Sequence, residues 1–256
     1  MTSKTKPWLI AHRGYPNRYP ENSLAGFRAA VDAGARLLEL DVQISTDGVP
    51  VVHHDQDLQR SCAVAGSLLE TDLSALRSLS AHFPGRFAER YTGTPILTLE
   101  EFAGQLCAWR EIQAFVEIKL QSIIHHGMRR TVDTVLHALG AALEQCILIS
   151  FHTDCLVYAR ARSGIPIGWI TKKWDEMDQR QALALQPEFQ FAHADIVRYA
   201  THAIRHHSNR WAVFVVNDPL QAAHYRSLGV DLVETDAIGE MLSSDQSAHT
   251  ATNPMS

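Results

Sequence analysis

Short apolar runs rich in β-branched residues alternate along the chain with longer stretches whose apolar residues recur at helical spacing. Strands that alternate with helices in this way pair in parallel, as they do in βαβ units. The pattern therefore predicts an α/β fold built on one parallel sheet. Eight of the apolar runs have the length and composition of strands: 8–12, 37–42, 114–118, 146–151, 165–170, 189–194, 211–216 and 231–235.

Helix signals fill several of the gaps between the predicted strands. Residues 21–34 end in Ala-Gly, which suits a helix C-terminus. Thr98, followed by Glu100 and Glu101, is a typical helix start and predicts a helix over 97–110. The same reasoning predicts helices over 125–143, 152–164 and 218–230.

The length of the chain discriminates between the possible parallel folds. Its 256 residues, divided among eight units, give 32 residues per unit, close to the roughly 30 residues of one βαβ crossover. We therefore predict a (β/α)8 TIM barrel that forms a single domain over residues 1–242. A doubly wound sheet is the alternative, but the chain has neither a G-x-G-x-x-G motif after the first strand nor a Walker A motif.

Two segments depart from the regular rhythm. Between Asp57 and Leu97 the sequence contains no good strand, only a short helical stretch near Thr71–Leu79 and a loop rich in Gly, Pro and Arg. We expect this segment, 57–97, to be an excursion after the second strand that lies over one face of the barrel. The polar residues of 243–256 predict a disordered tail.

Composition and charge limit the range of partners. The net charge of −5 argues against non-specific nucleic-acid binding, which needs a basic patch. No stretch approaches the roughly 18 apolar residues that cross a bilayer, and the N-terminus lacks the features of a secretory signal. These features predict a cytoplasmic protein, a monomer or homodimer, with no nucleic-acid partner and no stable membrane insertion.

The four cysteines contain no C-x-x-C pair, so a zinc knuckle is not expected. Reduced structural thiols in a cytoplasmic protein are the simplest interpretation.

Polar residues follow nearly every predicted strand. In a (β/α)8 barrel, the reactive residues sit at the C-terminal ends of the strands, where the βα loops build the active site. The predicted strands should therefore bring their terminal polar residues to one rim: His12 and Arg13, Glu39 and Asp41, Glu117 and Lys119, Ser150 and His152, Asn217, and Thr235 with Asp236.

Glu39 and Asp41 predict a metal site. Residues i and i+2 of a strand face the same way, and two adjacent carboxylates repel each other unless a cation lies between them. Oxygen ligands suit a hard divalent ion such as Mg²⁺ or Ca²⁺, and Glu117 on the neighbouring strand would supply a third oxygen. Taken alone, such a pair is more often a solvated strand end, and Glu117 would simply pair with Lys119. The convergence of several pairs on one rim favours the metal.

A tight-turn signal at Asp47-Gly48 folds the following residues back beside the second strand. This turn brings His54 toward the predicted metal site. His53 and His54 face opposite ways in an extended segment, so only one of them points inward.

The ordered motifs of the chain resemble those of the glycerophosphodiester phosphodiesterase family over most of residues 8–242. The most specific block covers the first 60 residues and contains HRG, PEN-S, E-L-D and T-D-G-V-P-V-V-x-H-D-x-x-L-x-R. Later blocks follow in the same order: P-I-L-T-L-E-E (95–101), V-E-I-K (116–119), S-F-H (150–152), V-N-D-P (216–219) and G-V-D-x-x-x-T-D (229–236).

The resemblance implies a (β/α)8 barrel that hydrolyses glycerophosphodiesters to an alcohol and sn-glycerol 3-phosphate. It further implies one divalent metal ion, Mg²⁺ or Ca²⁺ with Mn²⁺ as a further candidate. Carried over residue by residue, it assigns metal binding to Glu39, Asp41 and Glu117, and acid–base catalysis to His12 and His54. Substrate or phosphate binding falls to the remaining residues: Arg13, Lys119, Glu21, Asn22, His152 and Phe214.

The chain departs from the family pattern at two positions in the substrate pocket. Phe214 stands where relatives often have a tryptophan that would wall the glycerol site. Glu234 lies in DLVETD, where relatives usually carry D-G-I-I-T-D. These changes affect the fit of the glycerol or alcohol moiety and leave the chemistry of the metal and histidines in place.

Three other functions compete with this interpretation. A related phosphodiesterase would act on lysophospholipids in the manner of a lysophospholipase D. A barrel of the same family would bind glycerophosphodiesters without turning them over. A barrel aldolase or lyase would use Lys119 as a Schiff-base amine.

Overall fold

Eight parallel strands close into a barrel with helices between them. The structure is a computed structural model that describes residues 8–206 and 209–251. A ninth strand, β3, pairs antiparallel with β2 outside the barrel. The strands are β1 (Leu9–Ala11), β2 (Leu37–Ile44), β3 (Pro50–Val52), β4 (Gln113–Ile118), β5 (Cys146–Ser150), β6 (Ile167–Thr171), β7 (Phe189–His193), β8 (Arg210–Phe214) and β9 (Leu232–Thr235).

The helices follow the strands in the chain order that a barrel requires. Three short 3₁₀ helices cover Leu68–Glu70, Gly140–Gln145 and Ala194–Ile196. The α-helices are α1 (Leu24–Asp32), α2 (Gln59–Cys62), α3 (Leu73–Leu76), α4 (Pro84–Phe87), α5 (Leu99–Ala108), α6 (Leu120–His126), α7 (Met128–Leu139), α8 (Thr153–Ser163), α9 (Glu176–Leu185), α10 (Val197–His206), α11 (Pro219–Ser227) and α12 (Ile238–Ala251).

The predicted (β/α)8 barrel is confirmed, and the doubly wound sheet is excluded. Strand β1 pairs in parallel with both β2 and β9, so the parallel sheet has no open edge. Each of the eight predicted strands overlaps one barrel strand. The turn at Asp47-Gly48 also forms: Gly48 has a φ of 88°, and Val52 lies opposite Val42 in the antiparallel pair.

Two apolar layers hold the barrel together. Inside it, Phe115 packs edge-on against Phe189 and Phe191, with ring centroids 5.0 and 5.2 Å apart. Outside it, helix side chains cover the outward faces of the strands, and Phe27 of α1 meets Phe102 of α5 at 4.9 Å. The aromatic interior fills the barrel, so polar groups are confined to the rim at the strand ends.

Local backbone conformation corrects two helix predictions. The helix predicted over 125–143 is divided at Gly127, whose φ of 83° ends α6 before α7 begins. The helix predicted from residue 21 begins at Leu24 instead. Asn22 has a positive φ of 56°, and the Ser23 hydroxyl accepts the Gly26 N–H as the N-cap.

In the segment from residue 243, for which the sequence predicts a disordered tail, α12 continues as far as Ala251. The hydroxyls of Ser243 and Ser244 donate to carbonyl oxygens one turn earlier, at Gly239 and Glu240. Asp245 accepts the indole N–H of Trp8 at 3.0 Å, which ties the helix to the start of β1. The final five residues, 252–256, lie outside the described residues.

The excursion between β3 and α5 forms a small layer with its own apolar cluster. Leu58, Leu68, Leu76 and Ile96 are buried in this cluster together with Val51 of β3. The helical stretch predicted near 71–79 is a single turn, α3, whose N-cap is Asp72. Within the ranges described, every helix falls short of the length and apolarity that crossing a bilayer requires.

Candidate active site

A pocket of about 110 Å³ opens at the C-terminal ends of the barrel strands. One side is apolar and carries Ile149, Phe151, Ile170, Phe191 and Phe214. The other side carries the charged residues His12, Arg13, Glu39, His54, Glu117, Lys119 and Glu234. Five of the strand-end residues predicted to share one rim line this pocket: His12, Arg13, Glu39, Glu117 and Lys119.

Three buried carboxylates converge beside this pocket. Glu39 and Asp41 lie on β2, and Glu117 lies on β4 directly opposite Asp41 in the strand register. One oxygen from each lies within 4.8 Å of the other two. Side chains of this type are costly to bury without a compensating cation. The fold therefore brings three carboxylates together at the position where the sequence predicts a metal site.

Two cations already lie against these carboxylates. Lys119 Nζ donates to Asp41 Oδ1 at 3.1 Å and lies 2.9 Å from Glu117 Oε1. Arg13 Nε lies 2.9 Å from Asp41 Oδ2, and the Arg13 backbone N–H donates to Glu39 Oε2 at 3.0 Å. Neither Arg13 Nε nor Glu117 Oε1 has a well-aligned hydrogen-bond partner among the described residues, despite these short contacts. The two contacts are therefore electrostatic.

The carboxylates differ in how readily they ionise. Burial opposes the charge of Asp41, but Arg13 and Lys119 outweigh it and hold its pKa well below the usual range. Burial raises the pKa of Glu39 well above its ordinary value, and the neighbouring Asp41 and Glu234 add to the effect. Burial also raises the pKa of Glu117, which Lys119 offsets in part. The existing cations therefore neutralise Asp41 best and leave Glu39 and Glu117 short of positive charge.

The donor set fits a hard divalent cation. All three groups offer carboxylate oxygens, which Mg²⁺, Ca²⁺ and Mn²⁺ accept readily. Glu117 Oε1 is buried and contacts Lys119 Nζ at 2.9 Å without a well-aligned hydrogen bond, so this oxygen keeps acceptor capacity for such an ion.

Each candidate catalytic histidine has a carboxylate partner on its Nδ1 atom. His12 Nδ1 lies 2.8 Å from Asp236 Oδ1, and His54 Nδ1 lies 2.6 Å from Asp55 Oδ1. Such a bond fixes the orientation of the ring and favours the tautomer with the proton on Nδ1, so Nε2 is left for the substrate. Burial lowers the pKa of His12, and the bond to Asp236 opposes that effect.

Arg60, in the excursion between β3 and α5, connects Asp55, the partner of His54, with Glu21, the partner of Arg13. It donates to Asp55 Oδ2 at 2.6 Å through Nε, and to both oxygens of Glu21 at 2.7 and 2.8 Å. Glu21 also accepts from Arg13 at 3.0 Å. A continuous chain of ion pairs thus runs from His54 through Asp55, Arg60 and Glu21 to Arg13.

Two residues expected to line the site, Glu21 and Asn22, are absent from the wall of this pocket. Glu21 touches Arg13 and Arg60 and is absent from the pocket wall. Asn22 donates to Asp41 Oδ2 at 2.8 Å and accepts the Asp41 backbone N–H at 3.2 Å. Its positive φ lets one short side chain make both bonds. Both residues therefore position charged groups of the pocket.

His152 is another predicted site residue that is absent from the pocket wall. Its Nδ1 accepts the Cys155 N–H at 3.2 Å and caps the N-terminus of α8. Phe214, by contrast, lines the pocket as predicted, on its apolar side. A residue that follows a strand can serve as the cap of the next helix, and the strand-end pattern does not separate that role from substrate contact.

Sequence reasoning assigns no role to three residues of the site, Asp55, Arg60 and Asp236, and identifies Glu234 only as a departure from the family pattern in the substrate pocket. Asp55 and Arg60 belong to the motif block on which the family resemblance rests. Asp236 is predicted only as one of the polar residues at the strand ends. Asp55 follows His54 directly, which was an available signal for a histidine–carboxylate pair. Glu234 lies within the last predicted strand, 231–235, where a carboxylate directly after two apolar residues is unusual.

Comparisons with known proteins agree with this geometry. A sequence profile described as the glycerophosphoryl diester phosphodiesterase family matches residues 12–240, which include His12, the three carboxylates and Asp236. The chain belongs to this family. Among named members, a glycerophosphodiester phosphodiesterase of Caldanaerobacter subterraneus is 34% identical over 147 residues. That match covers 57% of the chain and 59% of the relative, so the chain spans less than two thirds of the relative's length.

Solved structures of family members share the fold. A phosphodiesterase of Oleispira antarctica, described in complex with the product sn-glycerol-3-phosphate, has a TM-score of 0.84 at 26% identity. The match covers 94% of the chain and 97% of that protein. A glycerophosphodiester phosphodiesterase of Thermotoga maritima has a TM-score of 0.71 at 24% identity, with 94% and 99% covered, and shows the same barrel.

Proposed function

We propose that the protein hydrolyses glycerophosphodiesters to an alcohol and sn-glycerol 3-phosphate in a reaction that depends on a divalent metal ion. The observation that carries this proposal is the pairing of His12 with Asp236 and of His54 with Asp55 beside the three carboxylates. Two oriented imidazoles next to a metal-binding cluster supply what the hydrolysis of a phosphodiester needs: two proton transfers and neutralised phosphate oxygens.

Glu39, Asp41 and Glu117 would hold the metal ion. When bound, such an ion offsets the negative charge of the phosphodiester oxygens. Arg13 and Lys119 line the same pocket and add fixed positive charge beside the phosphate. The phosphate would thus bind between these cations, while its organic substituents meet the apolar side.

The two histidines would divide the proton transfers between them. One accepts a proton from the attacking hydroxyl as the new P–O bond forms, and the other donates a proton to the departing alcohol oxygen as the old P–O bond breaks. Two nucleophiles suit this role. Water would give sn-glycerol 3-phosphate directly, whereas the substrate's own glycerol 2-hydroxyl would expel the alcohol and form a five-membered cyclic phosphate, which water then opens to sn-glycerol 3-phosphate. Asp236 and Asp55 stabilise whichever ring carries the additional proton.

The relatives support the substrate class. The Caldanaerobacter protein is named a glycerophosphodiester phosphodiesterase, and the Oleispira phosphodiesterase is described with the product sn-glycerol-3-phosphate. A cytoplasmic location and a monomeric or homodimeric state stay predictions. All four cysteines are free thiols, in keeping with a reducing compartment.

The Schiff-base alternative is disfavoured by the surroundings of Lys119. Burial opposes its charge, but Asp41 and Glu117 outweigh burial and raise its pKa above the usual value. A lysine that stays protonated is a poor nucleophile toward a carbonyl group. Its position between two carboxylates suits the binding of an anionic phosphate better.

The proposal is tested by measuring release of sn-glycerol 3-phosphate from glycerophosphocholine and glycerophosphoethanolamine, with lysophosphatidylcholine as the competing substrate and choline release as its readout. Each reaction is run with Mg²⁺, Ca²⁺ or Mn²⁺. We expect turnover of the two glycerophosphodiesters in preference to the lysophospholipid. Preferential turnover of the lysophospholipid would favour the lysophospholipase D-like alternative. Tight binding of glycerophosphocholine without product would favour the binding-only alternative.

A further inference from the structure

Glu234 is a buried carboxylate for which the proposed mechanism has no use. It lies on β9 opposite Ile10 of β1, and only 4% of the residue is exposed. Its side chain lines the active-site pocket together with the apolar residues Phe191 and Phe214. It is the one charged residue of β9, and a buried carboxylate is costly for folding unless it has a partner.

The Glu234 side chain lacks a partner for one of its oxygens. Oε1 is buried and has no hydrogen-bond donor within the described residues. Leaving a buried polar atom unpaired costs on the order of 1–3 kcal/mol, and more for a charged one. Because Glu234 lies in a pocket wall, a bound ligand can supply the missing hydrogen bond.

The chemistry of that ligand is restricted by the neighbours of Glu234. Glu39 and Glu117 line the same pocket, so an anionic ligand group placed beside Glu234 would be repelled. Glu234 is not one of the three carboxylates that converge within 4.8 Å, which places it beside the metal cluster and not in it. A hydroxyl group fits, because it both donates and accepts and so pairs with the carboxyl group in either protonation state.

The apolar side of the pocket suits the carbon atoms of the same ligand. Phe214, Phe191 and Ile170 present surfaces to a short carbon chain, while Glu234 presents an oxygen to a hydroxyl on that chain. We propose that Glu234 is a specificity residue that accepts a hydrogen bond from a glycerol hydroxyl of the substrate. This inference rests on the proposed function, since it concerns the glycerol moiety of the same substrate.

The test compares the binding of sn-glycerol 3-phosphate with that of n-propyl phosphate, which lacks both glycerol hydroxyls. Dissociation constants are measured by calorimetry on the full chain loaded with Mn²⁺. The variants are Glu234→Ile, which removes the oxygen and suits a strand, and Glu234→Gln, which keeps an acceptor oxygen in the same shape.

We expect the wild-type protein to prefer sn-glycerol 3-phosphate by about 10-fold or more, the effect of one hydrogen bond to a buried charged or polar group. Glu234→Ile should bind the two phosphates equally within about 3-fold, with n-propyl phosphate bound at least as tightly as before. Glu234→Gln should retain part of the preference. Equal binding of both phosphates by the wild-type protein would overturn the inference.

Two controls separate this role from others. Glu234→Ile should unfold at the same temperature as the wild type or higher, because it removes an unpaired buried carboxyl group. Its affinity for Mn²⁺ alone should stay within about 2-fold of the wild-type value, since a change of that size is negligible in free energy. A loss of about 10-fold or more would make Glu234 a metal ligand and overturn the proposed role.

The outcome for Glu234 is distinguishable from that for the enzyme activity. Release of sn-glycerol 3-phosphate from glycerophosphocholine by the wild-type protein is measured in the same preparation. Turnover without a preference between the two phosphates overturns the inference about Glu234 and leaves the proposed function standing. A folded, Mn²⁺-loaded protein without turnover overturns the proposed function, and the Glu234 assignment with it.

Discussion

His12 and Asp236 are 224 positions apart in the chain, yet a 2.8 Å hydrogen bond joins His12 Nδ1 to Asp236 Oδ1. The cause is the closure of the barrel. Strand β1 ends at Ala11 and β9 ends at Thr235, and these two residues lie opposite each other in the parallel register. The residue after each strand therefore arrives at the same point on the rim. Closure of the barrel therefore positions Asp236 as the hydrogen-bond partner of His12.

Replacing Asp236 by Asn should lower kcat by about 100-fold or more, because an amide can hold the wrong tautomer of the His12 ring. The affinity for Mn²⁺ should be unchanged, since Asp236 does not belong to the carboxylate cluster. The matched control is Asp154→Asn at an exposed position on α8, which should retain wild-type turnover. Unchanged kcat in Asp236→Asn would remove Asp236 from the mechanism.

His12→Gln and His54→Gln should each reduce turnover of glycerophosphocholine by about 100-fold to 10,000-fold, the usual range for loss of a general acid or base. Both variants should still bind Mn²⁺, which calorimetry measures directly. His137→Gln, at an exposed position in the last turn of α7, is the control for loss of an imidazole elsewhere. Wild-type rates in either site variant would contradict the two-histidine assignment.

Arg60→Met should destabilise the protein by about 1–2 kcal/mol at neutral pH, a modest value because the Arg60 side chain is 45% exposed. Arg60 holds two carboxylates, Glu21 and Asp55, and Arg77→Met is the control because it breaks one pair in which both partners are exposed. Denaturant unfolding of both variants measures the difference.

The effect of Arg60→Met should depend on pH. Burial opposes the charge of Glu21, but Arg60 and Arg13 lower its pKa below the ordinary value. The bond to His54, followed by the contacts with Arg60, lowers the pKa of Asp55. Stability from such groups is complete above their unfolded pKa of about 4 and is lost as the pH falls through the lower folded values. The gap between wild type and Arg60→Met should therefore narrow below about pH 4. A constant gap would contradict the ion-pair account.

The four cysteines should differ sharply in reactivity. Cys107 is exposed, whereas the other three are buried. Burial raises the pKa of Cys146 and of Cys155 to about 12, so at about pH 8 only about one molecule in 10,000 carries either thiolate. A thiol reagent should modify one cysteine rapidly in the native protein and four in denaturant. Cys107→Ser should abolish the rapid phase, and a persisting rapid phase would contradict this assignment.

The sequence was sufficient to predict the barrel and its carboxylate cluster because both follow from local periodicity. Glu39 and Asp41 are two residues apart on one strand, and Glu117 lies on the strand that the chain order places next to it. The same reasoning put His12 and His54 at the rim. The strands determine which way the carboxylates point, and His12 and His54 lie within two residues of the ends of β1 and β3.

The features that sequence reasoning missed depend on contacts between distant segments. The bond of His12 to Asp236 needs the register of barrel closure, and the bond of Arg60 to Glu21 needs the path of the excursion. The order of residues 243–251 depends on a helix whose Asp245 meets Trp8 at the other end of the chain. His152 satisfied the strand-end rule, but its ring turns to the backbone of α8, which composition alone does not reveal.

The most direct test of the account is a titration of Mn²⁺ into chelator-stripped protein, with the rate of sn-glycerol 3-phosphate formation from glycerophosphocholine recorded at each addition. We predict negligible turnover without metal and a rate that reaches its maximum once one ion per chain is bound. Glu117→Gln should need at least about 10-fold more Mn²⁺ for half-maximal rate, as expected for loss of a ligand. Full turnover by the stripped protein, or an unchanged Mn²⁺ requirement in Glu117→Gln, would contradict the account.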